Sequence, residues 1–307
     1  MLDVTVATVA PRTLSSTVGA YVALTKPRII ELLLVTTVPT MVVAANKIPA
    51  LWLVVATLIG GSLAAGGANA FNMVLDRDID ALMKRTQNRP LVTGAMTPRA
   101  ATIFAVALEV ASFVVLATWV NFLSAWLALA ATAFYVVIYT IWLKRRSSQN
   151  IVIGGAAGAV PVLIGWSAVT NSLAWTPVVL FAVIFIWTPP HFWALAVRYR
   201  DDYEAAHVPM LPVVASLRRT TLEILAYTVV LWALSMLVGP VAGLGWIYAV
   251  SALVLGGAFT FFAARLFVLA RHDRADVARA MRLFHYSITY LTALFVLMAV
   301  DVIVRHH

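Results

Sequence analysis

The sequence contains no cysteine in its 307 residues. Disulfides, thiolate metal sites and covalently attached c-type heme are thereby excluded. Charge is also scarce. Asp, Glu, Lys and Arg make up 11% of the chain, against roughly 25% in a soluble domain. That is too little polar surface to cover a water-soluble globule. A 62% hydrophobic composition and a mean hydropathy of +0.92 point to lipid as the solvent. The first residues include Asp3, Thr5, Pro11 and Arg12 and lack a basic start followed by an apolar core. No cleavable leader is expected, and the first span directs insertion. No GxxxxGK[ST] loop occurs, so ATP is not the evident phosphate donor.

What the sequence does have is a succession of long apolar runs. They fall at about 29–46, 50–71, 100–118, 122–143, 151–170, 176–197, 220–239, 245–268 and 285–304, each near the ~20 residues that cross a bilayer. None alternates like a strand, and backbone groups in lipid must pair within their own segment. The expected fold is therefore all-α, an integral membrane bundle of nine transmembrane helices. Residues 1–25 are expected to form a cytoplasmic N-terminal segment ahead of one polytopic domain over 26–307.

A net charge of +9 raises nucleic acid as a partner, but the distribution argues for membrane instead. Of the 22 Lys and Arg, all but Lys47 and Arg305 fall on the N-terminal side of the alternating spans. Cytoplasmic loops carry that excess, so this side is expected to face the cytoplasm across a cell (inner) membrane. The long loops 72–99, 198–219 and 269–284 share this side, while the opposite connections are short. Function is expected in the long loops.

Residues 69–90 read NAFNMVLDRDIDALMKRTQNRP. Asn72, Asp76 and Asp80 recur every four residues, so on a helix they share one face, drifting about 40° per step. An amide and two carboxylates at the membrane edge suit Mg²⁺, which takes one or two carboxylates and keeps the rest of its shell for water and phosphate oxygens. Asp78 points elsewhere. A plainer reading pairs these acids with Arg77, Lys84 and Arg85, but three acids within five residues repel unless a cation lies between them. Lys84, Arg85 and Arg89 follow at once, and two of them can fork onto phosphate oxygens. Acids for a metal followed by bases for phosphate is the order a diphosphate site needs. On the same side lie Lys144, Arg145 and Arg146, and a second acidic cluster with Asp201, Asp202 and Glu204.

These residues resemble the UbiA-type intramembrane prenyltransferases. The first motif of that superfamily is matched by Asn72, Asp76 and Asp80. Its second, a pair of aspartates four apart, is matched by Asp202 alone, because Arg198 stands at the earlier position, with Asp201 as a substitute. Met73 replaces an acid common after the motif Asn. The stretches LTKPRI (24–29), MKRTQNRPLVTG (83–94), KRRSSQNIVIGGAAGAVPVLIGW (144–166), WTPPHFWALA (187–196) and DDYEAAHVPMLP (201–212) look like the heme-modifying branch. The resemblance implies a bundle around a central cavity, with diphosphate at its cytoplasmic mouth. It also implies farnesyl diphosphate as donor, heme B as acceptor and heme O as product for terminal oxidases, with heme A synthase as a candidate partner. The expected catalytic set is Asn72, Asp76, Asp80 and Asp202, with Asp201 as a further metal ligand. Lys84, Arg85, Arg89, Lys144 and Arg145 are expected on the diphosphate.

His191, in TPPHFW, is the candidate heme-binding residue. Its structural alternative is an interfacial histidine beside two helix-distorting prolines. Glu31 and Glu109 lie inside spans, where acids are functional by default. Glu31 has Lys26 and Arg28 nearby, and Glu109 is expected to stay protonated and bond a neighbouring helix. The paired glycines suit close helix packing, and the tryptophans suit interfacial belts. Three other readings remain: a UbiA-type enzyme with an aromatic acceptor, a transporter, and a structural role handing heme between assembly factors. A transporter is disfavoured because no repeat relates the halves. A heme hand-off role leaves the Asn72–Asp76–Asp80 spacing unexplained.

Overall fold

The computed structural model describes residues 14–272 and 276–306, apart from the side chains of 14–16, 28–34 and 306. Arg12, Arg274 and His307, and the side chains of Arg28 and Glu31, fall outside it. Among the described residues every regular element is a helix. In chain order these are α1 (Leu14–Thr25), α2 (Pro27–Ala45), α3 (Leu51–Leu75), α4 (Arg77–Leu82), α5 (Pro98–Trp119), α6 (Phe122–Ala133), α7 (Asn150–Thr170), α8 (Trp175–Arg198), α9 (Arg200–Ala205), α10 (Leu211–Val214), α11 (Leu217–Ala242), α12 (Trp246–Arg271) and α13 (Val277–His306). α6 continues without a break into a π-helix, Phe134–Leu143.

Eight of the described segments are long and apolar enough to cross a membrane: α3, α5, α6 with its π-helix, α7, α8, α11, α12 and α13. α2 is the ninth span, 19 residues long, which at about 1.5 Å per residue approaches the ~30 Å hydrocarbon core. The nine expected spans are therefore all present, and the protein is multi-pass. Aliphatic residues and tryptophans that a soluble protein would bury lie exposed on the outer surface, among them Ile103, Val110, Trp126 and Leu253. Lipid is the solvent that tolerates them.

Several spans end where their local sequence stops them. Asn46 and Asn171 adopt left-handed backbone at the ends of α2 and α7 (φ 51° and 49°), as asparagine tolerates. Thr97, Asn121 and Ser216 accept the first free amides of α5, α6 and α11, satisfying donors that have no intrahelical partner. The N-terminus of α12 is capped from another helix. Asp301 of α13, fully buried, accepts from Gly245 N at 2.6 Å and Tyr248 N at 3.2 Å. Replacing Asp301 with alanine strands both amides and is expected to cost about 2–4 kcal/mol. Unfolding in detergent is the measurement, and Asp301→Asn should recover part of the loss.

Two packed regions share α7. One joins α8, α11, α12 and α13 with α2 and α7, around Leu180, Leu231, Tyr248, Phe259, Tyr290 and Phe295. The other joins α3, α5, α6 and α7, around Ala64, Leu116, Ala125 and Ile164. Small residues let backbones meet in lipid. A side chain at Gly165 on α7 would sit 2.7 Å from the backbone oxygen of Thr37 on α2. α1 packs on α3, with Ala20 and Leu24 in a core that includes Met73 and Ala101.

Candidate active site

The acidic strip sits where α3 gives way to α4. Asp76 is at once the last cap of α3 and the first of α4, with φ −93° and ψ 3°. The helical turn persists through this step, because Asp76 N donates to Asn72 O at 2.9 Å and Asp80 N to Asp76 O at 2.8 Å. Asn72, Asp76 and Asp80 therefore keep the single face that their spacing predicts, and all three are buried, at 3%, 0% and 1% exposure. Asp78 turns to the outside, where Arg145 grips it with two bonds of 2.6 and 2.7 Å. That grip holds the Asp78 carboxyl down at about 2.

Around the strip is a shell of cations. Lys144 pairs with Asp76 Oδ2, and Arg89 pairs with Asp80 Oδ2 at 2.5 Å. Asn72 Nδ2 donates to Asp76 Oδ2 at 2.7 Å and to Thr140 Oγ1 at 3.2 Å. Asn72 Oδ1 accepts from Lys26 Nζ at 2.9 Å. The other carboxylate oxygens, Asp76 Oδ1 and Asp80 Oδ1, are buried and accept no hydrogen bond among the described residues. Buried carboxylate oxygens without donors are costly, and they fit a divalent cation, which binds oxygen and needs no donor hydrogen. No three carboxylates or histidines converge among the described residues, so this chain offers two carboxylates here and leaves the remaining coordination to other oxygens.

Lys26 and Thr140 escaped the reading of the sequence as site residues. Lys26 stands before Pro27 in left-handed backbone (φ 50°), a strained state for a side-chain-bearing residue. Asn69 fixes the turn through the Thr25 carbonyl at 3.1 Å. Burial lowers the ammonium to about 7, with Arg89 and Lys144 adding repulsion and Asp76 and Asp80 opposing it. The available signal was a lysine held before a proline, where α geometry is disfavoured. Thr140 lies in the π-helix and donates to Tyr135 O five residues back at 3.0 Å. The same i→i−5 pattern brings Lys144 N to Tyr139 O at 2.8 Å, so the wider turn sets where Lys144 emerges.

The remaining expected residues divide. The backbone amide of Lys84 donates to Asp202 Oδ1 at 3.3 Å, which brings the two acidic loops together. Asp201 is exposed. Arg85 stacks over Tyr199 and Tyr203, 5.2 and 4.9 Å from their centroids, and donates to Tyr203 Oη at 2.9 Å. Arg145 also donates to Leu75 O at 3.0 Å. Arg85 and Arg145 thus tie the loops to one another. Within the bundle Glu109 accepts from Thr132 of α6 at 3.2 Å, the interhelical bond expected for it. His191 lies on α8 just after Pro189 and Pro190, buried at 7% exposure.

A bundle of nine membrane helices with buried, cation-flanked carboxylates at one rim defines an intramembrane prenyltransferase, and the chain belongs to the UbiA prenyltransferase family, whose model matches residues 33–288. It is similar to proteins named Protoheme IX farnesyltransferase. That of Streptomyces avermitilis is 53% identical over 298 residues, covering 96% of this chain and 97% of the relative. That of Leifsonia xyli subsp. xyli is 55% identical over 287 residues, covering 94% and 93%. Among solved structures, the fold is shared with digeranylgeranylglyceryl phosphate synthase, at a TM-score of 0.76 and 15% identity over 94% of this chain and 99% of that one. A UbiA homolog from Archaeoglobus fulgidus bound to DMAPP and Mg²⁺ gives 0.61 at 16% identity, over 91% and 99%.

Proposed function

We propose that this chain transfers a farnesyl group from farnesyl diphosphate to a vinyl group of heme B, giving heme O and diphosphate. Relatives above half identity over nearly the whole chain carry that activity in their name. The observation that carries the chemistry is the pair of buried, donorless oxygens on Asp76 and Asp80 inside a ring of Lys26, Arg89 and Lys144.

Asp76 and Asp80 would hold Mg²⁺, with its remaining coordination left to water and phosphate oxygens, and Asp202 and Asp201 on the facing loop would act on the diphosphate side without joining them as a three-carboxylate cluster. A bound Mg²⁺ supplies Lewis-acid neutralisation of the leaving diphosphate. Asn72 orients Asp76 and positions Lys26. Lys144 and Arg89 carry three and five donors respectively, so each can hold its carboxylate and a phosphate oxygen together, and Lys84 adds a charge at the rim. This is electrostatic stabilisation of charge as it develops on a leaving group. The C1–O bond of the donor breaks with its electron pair going to diphosphate, and the vinyl carbon bonds to C1. Water adds to the resulting cation with loss of a proton. Apolar helix walls keep water from the farnesyl cation before it is captured.

The test is incubation of purified protein with heme B, farnesyl diphosphate and Mg²⁺, followed by mass analysis of the heme. A gain of hydroxyethylfarnesyl mass supports the reading. Unmodified heme alongside a prenylated aromatic acid would instead favour the aromatic acceptor. Lys26→Met removes a charge-assisted bond of about 1.5–3 kcal/mol. It is expected to lower kcat/KM for farnesyl diphosphate by about 10–100-fold, with little change in the KM for heme.

We also infer that this rim faces the cytoplasm of an inner-membrane protein, from the basic excess on its loops. The cysteine-free chain makes that simple to examine. Gln87→Cys is expected to react with an impermeant maleimide only after cells are opened, and Ser172→Cys in intact spheroplasts. The reverse pattern would invert the topology.

A further inference from the structure

The ring of His191 is packed among three aromatic side chains. Trp187 stacks on it at 4.1 Å, Phe284 lies tilted against it at 4.6 Å, and Phe192 meets it edge-on at 5.1 Å. Among these rings 7% of the residue stays accessible. Nδ1 is 2.7 Å from Ser287 Oγ on α13. Ser287 is fully buried, and its single hydroxyl hydrogen goes to Phe284 O at 2.6 Å. With that hydrogen on Phe284 O, Ser287 Oγ accepts from the imidazole; with it on Nδ1, the tautomer is reversed. In the first arrangement Nδ1 carries the hydrogen and Nε2 a bare lone pair, which meets no hydrogen-bonding partner among the described residues. Trp187 Nε1 donates to Ser287 O at 2.8 Å, which fixes the serine backbone against α8.

A bare Nε2 with its opposite nitrogen tied to an acceptor is the arrangement of metal-ligating histidines, in which the second bond sets the tautomer and raises ligand basicity. We propose that Ser287 is a positioning residue for the acceptor: it takes the Nδ1–H of His191 and thereby presents Nε2 as a ligand to heme iron. The inference rests on the reading that heme is the acceptor, and it assigns a role to a residue 96 positions away in the chain.

Heme B titrated into the purified protein, followed by absorption and by the iron–histidine stretching band of the ferrous complex, tests it. His191→Ala is expected to lose the histidine-ligated spectrum and regain it with added imidazole. Ser287→Ala is expected to keep histidine ligation, bind heme about tenfold more weakly and lower the stretching frequency, because the ligand loses donor strength. Ser287→Thr keeps the hydroxyl and should restore both. Should Ser287→Ala fail to fold, Ser287→Cys, with a weak sulfur acceptor, must lower the frequency in its place. A wild-type spectrum in His191→Ala overturns the iron-ligand role and the inference with it. Loss of ligation in His191→Ala with an unshifted frequency in the Ser287 variants overturns the inference alone. Failure to form heme O while the Ser287 shift is present overturns the transfer reading and leaves the positioning role standing.

Discussion

Asp76→Asn is expected to lower kcat by about 10³-fold or more. The amide keeps the shape of the carboxylate and can still accept from Lys144 and Asn72, so the cap between α3 and α4 survives. What disappears is a full negative charge at 0% exposure, where few other groups can replace it. Losing about 4 kcal/mol of cation-mediated stabilisation of the leaving group corresponds to that drop. The KM for heme should change little, while the Mg²⁺ concentration giving half-maximal rate should rise. Helical circular dichroism and a monodisperse elution profile should match the wild type. A rate within tenfold of wild type at saturating Mg²⁺ would falsify the assignment of Asp76 to leaving-group chemistry.

Lys144→Met should have its largest effect on stability. It removes the nearer of two cations from a carboxylate that has no access to water, leaving only Arg145 at 4.0 Å. Stripping one partner from a buried ion pair costs about 3–5 kcal/mol, because the other charge is left unsolvated. Asp76→Asn combined with Lys144→Met leaves no lone charge and should recover most of that loss, since neutral groups of similar volume tolerate burial. Activity should stay lost in the double variant. Unfolding of the four proteins in one detergent gives the coupling directly. Simple addition of the two single penalties would show that the pair is not energetically linked, whatever its geometry.

The nine spans were legible because lipid forces one solution on a long apolar run: a helix with its backbone bonds satisfied internally. The strip of Asn72, Asp76 and Asp80 was legible for a related reason, since four-residue spacing selects one helix face even across the change from α3 to α4. Its partners were not. Sequence neighbours Arg77, Lys84 and Arg85 were the evident counter-ions, yet Arg77 bonds Val74 O, Arg85 stacks on two tyrosines, and Lys144 and Arg89 take the carboxylates. Adjacent residues on a helix diverge by about 100°, so proximity in the chain is a poor guide to pairing. Lys26 and Thr140 reach Asn72 from 46 and 68 residues away, and no local pattern carries such distances.

By itself, the sequence determined the solvent, the helical class, the gathering of basic residues in alternate loops and the ladder of oxygen-bearing side chains. Each follows from composition or from a period shorter than two helical turns. Only the tertiary structure decided which cation meets which acid, that the fourth span loosens into a π-helix to deliver Lys144, and that Ser287 of the last helix meets the imidazole of His191. Those outcomes depend on which helices touch, which is fixed by the packing of small residues and large apolar side chains over the whole bundle rather than by any one segment.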